Sequence, residues 1–251
     1  MLIYCNGCSA TAGTIWSLKN GDPSLTYPNQ LAGKLSSDLI NKSYAGKSNY
    51  SICNETVRDL LTIDNKPDLV IIQWTYSERF VTPKIGEESL ITHYPFDPDF
   101  RSDPFFCTHF DIKDFKGTLQ LEDITLFFMI TLEYFLKSLN IKFIMLDYGR
   151  SYMAANNLRL SYKKSLTHKS LLDKDNWLHD IDITIPMILD SFRFKKSQVL
   201  KPDGRPDGHY MEDAHEFLCE AILDFYLLGK KLNTKDFKYK EDPSSFYVEV
   251  Y

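Results

Sequence analysis

No apolar run in this 251-residue chain approaches the roughly 20 residues needed to span a bilayer, and its start lacks a basic segment followed by an apolar stretch and a cleavage site. A soluble, unexported, cytoplasmic chain without a membrane partner is the expectation. An excess of positive charge is missing too. The formal net charge is -5 and the pI is near 5.7, and the lysines are interleaved with acids, whereas neutralising phosphates needs a basic face. This argues against a general nucleic-acid binder, so no nucleic-acid partner is expected. Cysteine is sparse and odd in number, with five residues in a chain too long to need disulfide staples, which suits a reducing compartment. Cys5 and Cys8 form a CxxC, but one falls in a strand and the other in a turn, whereas a redox pair usually opens a helix. No internal repeat, low-complexity segment, metal site or cofactor motif stands out.

What is present is ample apolar content, 43%, enough for a sizeable core in one domain. Leu2-Ile3-Tyr4-Cys5 is a short apolar run that breaks at once into Asn6-Gly7, a strong turn signal. It reads as a buried strand delivering Ser9 to a loop. Pro28 suits the start of a helix through Leu31, Leu35 and Leu39. The stretch from Leu39 to Tyr44 can form a second strand, and Ser48 or Asn49 can cap a helix through Ile52, Val57 and Leu60. The run from Leu69 to Trp74 is apolar on both faces, as a covered parallel strand should be. Strands alternating with helices predict an α/β fold: a three-layer α/β/α sandwich on a mostly parallel, flavodoxin-like sheet.

From Arg79 to Gly117 the pattern dissolves into proline, aspartate and aromatics. Such aromatic content argues against disorder, and residues 80–117 read as an ordered insertion without regular structure. The segment from Leu119 to Leu139 is the clearest helix, stopped by Asn140 before the strand from Lys142 to Leu146. Residues Ile181 to Phe194 are partly helical in pattern, and Glu212 to Leu232 is an amphipathic helix. The domain is expected to span 1–232, with 233–251 as a tail.

Serine is a poor nucleophile without a base and a group to orient that base. In open parallel sheets ligands bind beyond the carboxyl ends of strands, so Ser9 is well placed. Asp207-Gly208-His209 supplies a carboxylate and an imidazole on one tight turn before the last helix. A last strand and helix packed beside the first strand would bring this turn to Ser9.

These residues resemble the SGNH or GDSL-type hydrolases. Gly7-Cys8-Ser9 is similar to the first block of that family, with cysteine where aspartate is usual and Ser9 on the nucleophile. Gly46, in Tyr44-Ala45-Gly46-Lys47-Ser48-Asn49, matches the glycine that lends a backbone N–H to the oxyanion. Asp207-Gly208-His209 resembles the block carrying acid and base. The resemblance implies a serine esterase or deacylase working through an acyl-enzyme on a small or carbohydrate O-acyl (acetyl) ester, with Ser9, His209 and Asp207 as the triad. Two departures stand out. The third block normally offers an asparagine to the oxyanion, and here Gln73-Trp74-Thr75-Tyr76-Ser77-Glu78-Arg79 follows, leaving Asn49, Thr75 or Gln73 as substitutes. Losing one such donor typically costs on the order of 10²–10³ in rate. The acid–histidine spacing is also short, so Asp203 is a second candidate acid. The run from Gln73 to Arg79 is similar to that of some phage-borne SGNH-like proteins, which makes the departure look like a subfamily trait and leaves a phage origin open.

Plainer readings stand beside these. A lone serine in a turn is usually a backbone cap, and His209 alone can be an ordinary loop histidine. His215 is more often a structural partner than a second base. Cys8 is itself a potential nucleophile, though Ser9 holds the family position. Trp74 and Arg79 are more often packing and a surface ion pair than substrate contacts. Gly46-Lys47-Ser48 looks like the end of a phosphate loop, but Asn41 stands where the upstream glycine belongs. Two functional alternatives remain open: an O-acyltransferase on the same scaffold, and a non-catalytic carbohydrate-binding or phage structural protein. The sequence leaves the oligomeric state unknown.

Overall fold

The computed structural model describes residues 1–13, 21–76, 79–83, 90–93, 115–148, 171–179, 184–200 and 208–232. Four parallel strands form the central sheet: β1 (Leu2–Asn6), β2 (Asp38–Asn41), β3 (Leu69–Trp74) and β6 (Lys142–Asp147), in the order β2-β1-β3-β6. Ile3 pairs with Leu39 on one side and Leu69 on the other, and Leu69 pairs with Lys142.

Because side chains alternate across a strand, the sheet builds two cores. Ile3, Cys5, Leu69, Ile71, Ile144 and Leu146 face α2 (Tyr27–Lys34), α5 (Ile185–Ser191) and α6 (Glu212–Leu228). Tyr4, Val70, Ile72, Trp74, Phe143 and Met145 face α3 (Asn49–Thr62) and α4 (Phe115–Ser138). The result is the expected three-layer α/β/α sandwich. Burial of both strand faces is why β3 reads as an uninterrupted apolar run.

The local signals act largely as chemistry dictates. Ser48 caps α3, its hydroxyl accepting from the Ser51 N–H at 3.1 Å. Pro28 sits in the first turn of α2, and α6 ends on Gly229 in the left-handed conformation (φ 68°).

Four expectations change. The helix started at Pro28 ends at Lys34 instead of running through Leu39, which lies in β2. The second strand ends at Asn41 rather than Tyr44, because the Asn41 carboxamide accepts from the Ser43 N–H (3.0 Å) and turns the chain. Within residues 80–117, β4 (Phe80–Pro83) and β5 (Leu90–His93) pair antiparallel, so that segment is not free of regular structure. Finally, β1 is flanked on both sides by β2 and β3, which leaves no edge of β1 for a last strand. It is α6 that comes in, by packing on α2.

No helix among the described residues is long and apolar enough to cross a membrane. Residues 14–20 and the tail at 233–251 lie outside the described residues.

Candidate active site

The first strand ends at Asn6, and the chain turns through Gly7 and Cys8 into α1 (Ser9–Ala12), a single helical turn in which the N–H groups of Thr11 and Ala12 both donate to the Cys8 carbonyl at 3.0 Å. A Cβ added at Gly7 would stand 2.2 Å from Thr11 Oγ1 and 3.1 Å from the Gln73 Cβ. Glycine is therefore required by close approach, not by a turn conformation.

Asn6 is saturated. Its Nδ2 donates to Thr56 Oγ1 (2.9 Å) and the Ile52 carbonyl (3.2 Å), and its Oδ1 accepts from Lys47 Nζ at 2.6 Å. Lys47 is wholly buried. Its ammonium also donates to the Lys42 carbonyl (2.8 Å) and pairs with Glu55 at 2.5 Å. Burial lowers its pKa from the ordinary lysine value, while the Glu55 carboxylate pulls it back up. Lys47 thereby fastens the loop containing Gly46 to the end of β1. Gly46 is buried and has φ 85°, a conformation that favours glycine.

His209 arrives on a short ladder. The Ser197 N–H donates to the His209 carbonyl (2.8 Å), the Gly208 N–H to the Ser197 carbonyl (3.2 Å), and the Met211 N–H to the Lys195 carbonyl (3.2 Å). Gly208 makes the turn with φ 73°. Tyr210 next to it anchors the ladder, its hydroxyl donating to Asp190 at 2.6 Å and to the Pro186 carbonyl at 3.1 Å. Burial, then the Asp190 charge, push that phenol well above its ordinary pKa. The outcome is a Ser9 Oγ to His209 Nε2 distance of 2.7 Å, across 200 positions of sequence. Ser9, Ala10, Tyr148, Leu189, His209, Tyr210, Ala214, His215 and Leu218 line a pocket at this point.

The remaining expected residues fall as follows. Asp207 and Asp203 lie outside the described residues. Asn49 grips the backbone of Thr75 with both ends of its amide: Oδ1 accepts from the Thr75 N–H (2.8 Å) and Nδ2 donates to the Thr75 carbonyl (2.9 Å), as well as to Thr125 Oγ1 (3.3 Å). The Thr75 hydroxyl is sealed from solvent and meets no partner among the described residues, as are Gln73 Nε2 and Trp74 Nε1 just before it. Both groups of the Asn49 amide and the Thr75 N–H are thus engaged with each other rather than presented to the pocket.

His215 was expected as a structural partner and serves as one. Its Nδ1 accepts from the Tyr27 N–H (3.4 Å) at the start of α2, and its ring stacks on Tyr27. Burial, and secondarily the charge of His209, lower its pKa to about 4. Tyr27 itself gave no sequence signal, since its partners lie far along the chain. Its hydroxyl donates to Gln73 Oε1 (3.2 Å) and Thr11 Oγ1 (3.3 Å), and Thr11 donates to the same Gln73 oxygen. Cys5, Cys8, Cys53 and Cys219 are free and buried, and no group of metal-ligating side chains occurs among the described residues.

No family model matches the chain, and no curated protein does. Solved structures do. TesA aligns with a TM-score of 0.50 at 13% identity, over 90% of this chain and 98% of that one. The psychrotrophic esterase EstA from Pseudoalteromonas sp. aligns at 0.47 and 13% identity, over 89% and 94%. A member of the lipolytic protein G-D-S-L family from Veillonella parvula DSM 2008 aligns at 0.45 and 11% identity, over 90% and 98%. At these identities what is shared is the fold: the four-stranded parallel α/β/α sandwich of this chain is similar to that of TesA.

Proposed function

We propose that the chain is a serine esterase or deacylase that forms an acyl-enzyme, acting on an O-acyl ester, such as an acetyl ester, of a carbohydrate or similar small molecule. The observation that carries this reading is the 2.7 Å approach of Ser9 Oγ to His209 Nε2 beyond the carboxyl ends of the parallel strands. A nucleophile and a base within hydrogen-bond reach is the geometry that proton abstraction requires.

In this reading the neutral His209 ring carries its proton on Nδ1 and accepts the Ser9 hydroxyl proton at Nε2. Oγ then adds to the ester carbonyl, and the oxyanion is held by the backbone N–H groups of Ser9 and Gly46. His209 returns the proton to the leaving alcohol as the carbon–oxygen bond breaks, and a water molecule, activated in the same way, releases the acid. Asp207, two residues before His209, is assigned as the acid that orients Nδ1–H. Asn49 and Thr75 act together as a brace at the end of β3, which keeps the loop after that strand at the head of α3.

The test is reaction with a fluorophosphonate probe. The wild type is expected to be labelled under conditions that label a known serine esterase, and Ser9→Ala to lose all labelling while remaining folded. Labelling that persists in Ser9→Ala, or its absence in the wild type, would overturn the assignment.

A further inference from the structure

The mechanism above uses none of Thr11, Tyr27, Gln73 or His215, yet all four are at least nine-tenths buried and joined in one polar chain. Thr11 lies two residues after Ser9, inside the same helical turn. Gln73 lies on β3, beside Gly7, so that any side chain at position 7 would strike the Thr11–Gln73 contact. His215 lies on α6, six residues beyond His209. Tyr27 touches both ends: its hydroxyl donates to Thr11 and Gln73, while its N–H donates to His215 and its ring stacks there.

The two halves of the Ser9–His209 pair therefore approach each other on separate elements, with Tyr27 as the piece between them. We propose that Tyr27 is a positioning residue, which through Thr11 on one side and His215 on the other fixes the distance and angle between Ser9 Oγ and His209 Nε2. The proposal rests on the reading of Ser9 as nucleophile. Tyr27 touches neither the pocket nor a reacting atom. It acts through its neighbours, and reactions of this kind are sensitive to such support because a misplacement of about 1 Å can cost about 10²-fold in rate. A neutral chain suits the task. The lone pair on His215 Nδ1 is committed to the Tyr27 N–H, so the ring stays uncharged beside His209 and adds no positive charge that would weaken the base.

The test compares wild type, Tyr27→Phe, Thr11→Val, Thr11→Ser and the Tyr27→Phe/Thr11→Val double variant, each checked for folding by near-ultraviolet circular dichroism. The readout is the rate of fluorophosphonate labelling as a function of probe concentration. Tyr27→Phe and Thr11→Val are each expected to lower the maximal labelling rate about 10-fold without moving the half-saturating concentration. The double variant should be no slower than the slower single one, as residues of one network are not additive. Thr11→Ser, which restores the hydroxyl, should recover most of the loss. Folded variants that label within about two-fold of wild type would overturn the inference and leave the serine reading standing. A wild type that is not labelled at all would remove both. Should Tyr27→Phe fail to fold, the Thr11→Val and Thr11→Ser pair decides alone.

Discussion

Two strands end side by side under the pocket, and they end differently. At β1, Asn6 finds partners for both ends of its amide, and the charge brought in to satisfy it, Lys47, is itself matched by Glu55 and a backbone carbonyl. At β3, three successive residues each carry a buried polar atom without a partner among the described residues: Gln73 Nε2, Trp74 Nε1 and Thr75 Oγ1. Unmet buried polar groups cost about 1–3 kcal/mol each and are uncommon. The difference follows what each strand has to hold. The end of β1 aims a side chain and the Gly46 loop, so its geometry must be unique, and a satisfied polar network gives one arrangement. The end of β3 has its backbone held by Asn49 from outside. It keeps polar groups whose removal the fold should tolerate.

The largest break in this contrast is Lys47→Met. The substitution removes a fully buried charge and leaves Asn6 Oδ1 without its donor and Glu55 without its cation. Removing one member of a buried ion pair costs about 3–5 kcal/mol, and the lower end is expected because the Glu55 side chain is still 23% exposed. Urea unfolding at pH 7 measures it. A loss below about 1 kcal/mol would mean that Glu55 turns to water and that the β1 side is no better fixed than the β3 side.

Next in size is an acid effect on the neutral chain through Tyr27. His215 has a folded-state pKa of about 4 against an ordinary value of 6.5. Above pH 6.5 it is neutral in both folded and unfolded chains and contributes no pH dependence. As the pH falls from 6.5 towards 4 the unfolded chain takes up a proton that the folded chain refuses, so stability drops, by about 3 kcal/mol over the window. Below about 4 both states are protonated and the slope from this group ends. His215→Gln retains an acceptor for the Tyr27 N–H but cannot titrate. The difference between wild type and this variant should therefore shrink with falling pH, and parallel stability curves from pH 7 to 4 would refute the assignment.

How much of this was legible in the sequence follows from how local each signal is. The runs from Leu2 to Cys5 and Leu69 to Trp74 and the Ser48 cap are read from neighbours, and the structure bears them out. The Ser9–His209 approach was legible from the need of a serine for a base and from a resemblance, but its distance was not, because nothing in the chain between them encodes 2.7 Å across 200 positions. The bridge through Tyr27 was invisible. Tyr27 and His215 lie 188 positions apart and Tyr27 and Gln73 lie 46 apart, and a tyrosine before a proline signals a helix start rather than a partner. The pairing of β4 with β5 was missed because Pro83 and the charged residues after it hide two four-residue strands. The assumed last strand failed for a topological reason, since both edges of β1 were already taken.

The smallest effect is the sharpest comparison of the two strand ends. Thr75→Val exchanges a hydroxyl for a methyl of nearly the same shape. In an ordinary buried threonine the exchange costs stability, because it discards a hydrogen bond and strands the partner. Here the hydroxyl has no partner among the described residues to strand, Val is equally suited to the extended backbone, and both backbone groups of Thr75 remain bound to Asn49. The variant is expected to be as stable as wild type or more stable by up to about 1 kcal/mol, which for a domain of this size raises Tm by about 2–4 °C. A calorimetric Tm lowered by more than that amount would mean that the Thr75 hydroxyl is satisfied after all, and the ends of β1 and β3 would then be built on the same rule.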